Sequence, residues 1–98
     1  MELKGYLDPE DRLYFGHVIK WLYFRCPGSH EENPKLQGHE TCVSVTGKET
    51  SDNMGRPVWH YEIKGGKIHV TPSIDASQSE CKFHDSFTFI PVARREDI

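Results

Sequence analysis

The stretch VWHYEIKGGKIHVTPSI, residues 58 to 74, restricts the fold more than any other part of the chain. Two runs rich in β-branched and aromatic residues flank a Gly-Gly pair, and glycine accepts the positive φ angles that a two-residue hairpin turn requires. With Gly65 and Gly66 in the turn, Ile63 faces Ile68, Glu62 faces His69, Tyr61 faces Val70 and His60 faces Thr71. Strand alternation then gathers Trp59, Tyr61, Ile63, Ile68 and Val70 on one face, which is expected to be the core side. The other face carries His60, Glu62, His69 and Thr71 and is expected to be wet.

The remaining segments extend this pattern. HVIKWLYFRC, from His17 to Cys26, is a strand that stops at Pro27-Gly28. TCVSVTG, residues 41 to 47, sets Thr41, Val43 and Val45 against Cys42 and Ser44 and reads as a second, half-exposed strand. GSHEENPKLQGHE between them is a polar loop. In DSFTFIPV, Phe87 and Phe89 share one face, and Pro91 marks the end of pairing because it cannot donate a ladder hydrogen bond. Near the N-terminus Asp8 and Pro9 suit the cap and first position of a helical turn. Long amphipathic helices and internal repeats are missing from the pattern. The expected fold is mainly β, a small antiparallel β sandwich or rolled sheet with a zinc-ribbon-like metal site and little helix. The expected layout is one domain over 1–98, with an N-terminal arm at 1–16, a β core at 17–92 and a tail at 93–98.

Charge narrows the function classes. Twelve Lys and Arg against fifteen Asp and Glu give a net charge of −3, which argues against a nucleic-acid binder held by phosphate neutralisation. No apolar run approaches the roughly 20 residues needed to span a bilayer, and MELKGYLDPEDR lacks the basic and apolar regions of a signal peptide. A soluble, cytoplasmic protein is the expectation. Three cysteines cannot all pair within one chain, so a disulfide framework is not expected.

Six histidines accompany Cys26, Cys42 and Cys81. Thiolate and imidazole together suit zinc, which takes four tetrahedral ligands, and short-spaced pairs on turns let two bonds form with little chain strain. Cys26 in RCPGSH is one candidate ligand; Cys81 and His84, separated by two residues in ECKFHD, are two more. The remaining place is open between His30, His39 and Cys42. Four protein ligands would close the shell and make the zinc structural. A second constellation, His60, Glu62 and His69 on the outer hairpin face, offers an open site for a metal-dependent hydrolase. Other catalytic signatures are missing: no glycine-rich phosphate loop, no Gly-x-Ser-x-Gly elbow and no His-Glu-x-x-His. Cys42 with His39 nearby, as nucleophile and base, reads better as an ordinary half-exposed cysteine.

The order of FRCPGS, GHETCVSV, GRPVWHY, TPSI and CKFHDSFTF over residues 17 to 92 resembles a family of small uncharacterised phage and prophage proteins. That family has a Cys-Pro-Gly-Cys turn, a Trp-x-Trp or Trp-x-Phe element, a Pro-Ser-Ile or Pro-Ser-Val segment and a Cys-His before an aromatic strand. Ser29 stands where the family has its second cysteine, and the late Cys-His is spread into Cys81 and His84. The resemblance implies a phage origin and a zinc-ribbon-like site in which His39 best matches the family histidine. It thus favours Cys26, His39, Cys81 and His84 as the metal ligands.

In HVIKWLYFR both faces of the strand are apolar, Trp21 and Tyr23 on one and Leu22 and Phe24 on the other. Either both faces are covered within the chain or one meets a partner, and a sheet this small favours the partner. The expected function is a non-enzymatic, zinc-stabilised protein-binding module. Its partner would be a host protein, such as a component of an antiviral defence system that it inhibits, or a second copy. The metal-dependent hydrolase is the alternative.

Overall fold

The computed structural model describes residues 1–14, 16–47, 58–75 and 81–98. Among these residues seven strands run in order β1 (Glu2–Leu7), β2 (Arg12–Tyr14), β3 (His17–Arg25), β4 (Glu40–Thr46), β5 (Trp59–Lys64), β6 (Lys67–Asp75) and β7 (His84–Pro91). Among the described residues helix is confined to two short 3-10 turns, Pro34–Leu36 and Arg95–Asp97. The sheet order is β1-β7-β6-β5-β4-β3-β2, and an added β1 to β3 pairing closes six strands into a barrel with β2 outside the ring. The mainly β expectation holds, with the rolled sheet carried to closure. Pairing is mixed, since β1 runs parallel to β7 and β4 parallel to β5.

The hairpin has the register read from its glycines: His60 faces Thr71, Tyr61 faces Val70, Glu62 faces His69 and Ile63 faces Ile68. Gly65 and Gly66 take φ of 59° and 75°. The expected core face needs one correction. Ile68 and Val70 are buried and Trp59 and Tyr61 half-buried, but Ile63 is 63% exposed: β4 pairs with β5 only at Trp59 and His60, so Ile63 lies beyond that ladder, whereas its partner Ile68 is flanked by Phe89 of β7.

The barrel is filled by Leu22, Phe24, Val45, Ile68, Val70, Ile74, Phe87 and Phe89. The Phe24 ring lies 5.0 Å from Phe89 and 6.1 Å from Phe87, spacings at which aromatic pairs add to area burial. Phe87 and Phe89 share the inner face, as their alternation requires.

Residues 8 to 11 depart from the expected helical turn. Leu7 pairs with Leu22 and Arg12 with Ile19, so the chain leaves the β3 edge between β1 and β2 and returns to it. Pro9 has no N–H to offer a ladder, and the Asp8 carboxylate accepts from the Glu10 N–H at 2.9 Å, a local turn in place of a helix cap. The Lys20 ammonium ties this loop down by donating to the Pro9 carbonyl at 2.8 Å and to Asp11 at 2.7 Å. Residues 1–14 thus contribute two strands where an arm was expected.

Those strands also answer for the two apolar faces of β3. Leu22 and Phe24 point into the core, while Tyr14 stands edge-on to Trp21 at 5.9 Å and Tyr6 lies 6.3 Å from Tyr23. The Arg95 guanidinium sits 4.0 Å over the Tyr23 ring and pairs with Glu40.

Candidate functional site

Two groups of chemically capable side chains come together in the fold, and Cys81 begins the segment that links them. β3 ends at Arg25, so Cys26 follows the strand directly, and its N–H donates to the His39 carbonyl at 2.8 Å. This backbone bond brings both ends of the polar loop together. Gly28 in the turn has no room for a side chain: a Cβ there would lie 1.8 Å from the Cys81 carbonyl oxygen. The Cys26 turn is therefore packed against the Cys81 backbone.

The result is a group of four residues, Cys26, His30, His39 and Cys81, whose ligand atoms all lie within 4.8 Å of one another and could hold a metal ion. His30 Nε2 is 3.5 Å from Cys26 Sγ, and His39 Nε2 is 3.3 Å from Cys81 Sγ. The two imidazoles meet edge-on at 5.2 Å. His39 Nδ1 lies 3.1 Å from the Glu40 carbonyl, to which an Nδ1–H donates, leaving the Nε2 lone pair aimed into the group. His30 is 3% exposed, and its Nδ1 is buried with no hydrogen-bond partner. Its φ of 44° and the φ of 50° at Lys82 put two non-glycine residues in the left-handed region beside the cluster. Burial pushes the Cys26 thiol up to about 11, with its contact to Cys81 adding to the shift.

Three of the four ligands expected from sequence, Cys26, His39 and Cys81, are thus brought together, and His30 stands with them. His84 is placed elsewhere. Cys42 is exposed and lines a shallow recess with Tyr23, Glu40, Thr41 and Arg95.

The second cluster comes from a break in the β6 to β7 ladder. Val70 pairs with Phe87 and Ile74 with Asp85, so β6 advances four residues while β7 advances two. Pro72 lies inside the excess and removes one ladder donor. A bulge of this kind re-aims the side chains it carries. Ser73 Oγ lies 2.9 Å from His84 Nε2, a hydrogen bond across two strands. The Trp59 indole N–H donates to the Ser73 carbonyl at 3.4 Å and steadies the bulge from β5. Ser73 is half-buried and His84 exposed, so a substrate can reach both.

The hairpin constellation does not converge in this way. His60 Nε2 is 3.3 Å from Glu62, which is also paired with Lys64 at 2.9 Å, while His69 Nδ1 lies 3.5 Å from Thr88. The Lys64 ammonium and then His60 hold the Glu62 carboxyl below its ordinary value. None of the three belongs to the converging group found among the described residues.

A family model described as "Bacterial ubiquitination-like system serine protease (BubE)" matches residues 3–88. The chain belongs to this family. No curated protein and no solved structure matches it. The match is consistent with the expected resemblance at its coarser level, a small bacterial or phage domain family; its description names a bacterial system and bears on neither the phage origin nor the individual motifs. Part of the GRPVWHY element, residues 55–57, lies outside the described residues.

Membership also corrects the expected function. A family of serine proteases is a family of enzymes, which overturns the non-enzymatic binding module and with it the inhibitor of host defence. Side chains that meet across a bulged ladder leave no local motif, so the sequence offered no catalytic signature to set against a binding module. Among the described residues no helix is long and apolar enough to cross a membrane.

Proposed function

We propose that the chain hydrolyses peptide bonds, with Ser73 as nucleophile and His84 as general base. The observation that carries this reading is the 2.9 Å contact between Ser73 Oγ and His84 Nε2, in a chain whose family is described as serine proteases. A serine hydroxyl is a weak nucleophile until a base takes its proton, and a base within about 2.6 to 3.2 Å is placed to do so. As Ser73 Oγ attacks the scissile carbonyl carbon, its proton passes to His84 Nε2. The tetrahedral intermediate then expels the amine, which takes that proton and leaves an acyl group on Ser73. Water, deprotonated by the same imidazole, releases the acid. The protein partner expected from sequence becomes on this reading a polypeptide substrate, drawn from the ubiquitination-like system that the family description names.

The second part of the proposal is that Cys26, His30, His39 and Cys81 hold a structural zinc. Donors about 2.0 to 2.3 Å from a tetrahedral zinc stand roughly 3.3 to 3.8 Å apart, and the two sulfur to nitrogen distances, 3.5 and 3.3 Å, fall in that range. Two thiols and two imidazoles are an established zinc donor set, and the fixed orientation of His39 supports a ligand role. Free thiols in the group suit a cytoplasmic setting.

Cleavage of an unfolded polypeptide such as casein tests the first part. Ser73→Ala abolishes turnover while the melting temperature stays within about a degree or two of wild type, since the hydroxyl is not in the core. Wild-type turnover in Ser73→Ala contradicts the assignment. Elemental analysis tests the second: one zinc per chain is expected, and less than one in Cys26→Ser.

A further inference from the structure

We infer that the Cys26, His30, His39 and Cys81 cluster is a positioning clamp for His84, transmitted through Cys81 and Lys82; this rests on reading His84 as the base. Cys81 precedes His84 by three residues, a span of at most roughly 11 Å. Each residue of that span is tethered to a different part of the molecule. Cys81 Sγ is 3.3 Å from His39 Nε2, and its carbonyl is packed on Gly28. The Lys82 ammonium donates to Glu32 at 3.2 Å, and its backbone holds the strained φ of 50°. Phe83 packs on the core, edge-on to Phe87 at 5.6 Å. His84 then opens β7 with its Nε2 on Ser73.

Residues held off their preferred backbone angles persist only where the surroundings over-determine them. At Lys82 the surroundings are Cys81 in the cluster on one side and Phe83 in the core on the other. Closing the cluster fixes where Cys81 sits, the left-handed turn at Lys82 fixes the direction in which the chain leaves it, and Phe83 facing inward turns His84 outward towards the bulge. Cys81 and Lys82 are positioning residues: neither reaches the reacting atoms. The metal supplies no catalytic step in this scheme, and its removal acts on the rate through the placement of His84.

The test uses the full chain loaded with zinc and a fluorophosphonate probe. Ser73 Oγ attacks the probe phosphorus, fluoride leaves, and the serine proton passes to His84 Nε2 and on to solvent. The maximal labelling rate, the half-saturating probe concentration and the imidazole nitrogen resonances of His84 in nitrogen-15 histidine-labelled protein are read together. Removing zinc with a chelator lowers the maximal rate on the order of 10- to 100-fold, the scale of a displaced catalytic group. It leaves half-saturation unchanged and shifts the His84 Nε2 resonance. Zinc-loaded Lys82→Gly folds, because glycine takes this φ freely, and the added freedom lowers the maximal rate about tenfold with zinc content unchanged. A Lys82→Gly rate equal to wild type, or a His84 resonance indifferent to zinc, overturns the clamp. Should stripping the metal unfold the barrel, Lys82→Gly decides alone. Undiminished labelling of Ser73→Ala would sink the nucleophile reading instead, and the His84 resonance would still decide the clamp.

Discussion

Ser73 and His84 stand eleven residues apart in the chain and 2.9 Å apart in space. Only the ladder between β6 and β7 connects the two facts. On the proposed reading His84 takes the Ser73 proton through that 2.9 Å contact. We expect His84→Gln to lose on the order of 10²- to 10⁴-fold in the rate of peptide hydrolysis; a His84→Gln rate equal to wild type contradicts the assignment. On the proposal that Cys26, His30, His39 and Cys81 hold zinc, that group has its own pH signature. A Cys26 thiol raised to about 11 by burial holds its proton at neutral pH and releases it on binding metal. Zinc affinity, measured by competition with a chromophoric chelator, therefore weakens between about pH 8 and about pH 6, and a flat profile would refute thiolate ligation. The spacing of cysteines and histidines made Cys26 and Cys81 legible as ligands and left His39 open beside His30 and Cys42, with the phage-family resemblance favouring His39. It also drew His84 into that group, since Cys-x-x-His is the spacing of paired ligands on a turn. Residues 81 to 84 leave the turn and enter a strand, and with Phe83 turned into the core the alternation sends His84 to the other face.

At the level of elements, the β5 to β6 hairpin was readable to the residue, because two glycines fix the turn and the turn fixes the register. Gly66 has a φ of 75°, so Gly66→Val forces a β-branched residue into the left-handed region. The expected cost is about 1 to 3 kcal/mol, read as a lower urea midpoint with an unchanged slope. An unchanged midpoint would place the turn outside the cooperative unit. The other end of β6 was not readable. A two-residue excess opposite Ser86 depends on how β7 lies against β6, and the sequence TPSI shows only that Pro72 cannot continue a ladder. The Asp-Pro pair at 8 and 9 was misread for a related reason. An aspartate that accepts from the N–H two residues on serves a turn as well as a helix cap, and the choice is made by the β3 edge on either side.

Over the whole molecule, closure of the barrel decides where both clusters sit. β1 pairs parallel with β7 and antiparallel with β3, two contacts between segments far apart in sequence that no local pattern announces. Alternation identified the inward residues Phe87, Phe89, Ile68 and Val70 without their partners across the ring. Phe24 lies at the meeting point of β3 with Phe87 and Phe89, fully buried. Phe24→Ala should cost about 3 to 5 kcal/mol of stability in denaturant unfolding, and a loss below about 1 kcal/mol would mean that the barrel interior is not packed as described. The same closure carries the entry to β7, with its cysteine and histidine, past the Cys26 turn and onto the bulge of β6. The most direct measurement of the central claim is the site at which a fluorophosphonate adds to the zinc-loaded chain, located by tandem mass spectrometry. The account predicts a single adduct on Ser73 that disappears in His84→Gln; an adduct on another residue, or one that forms equally well without His84, would contradict it.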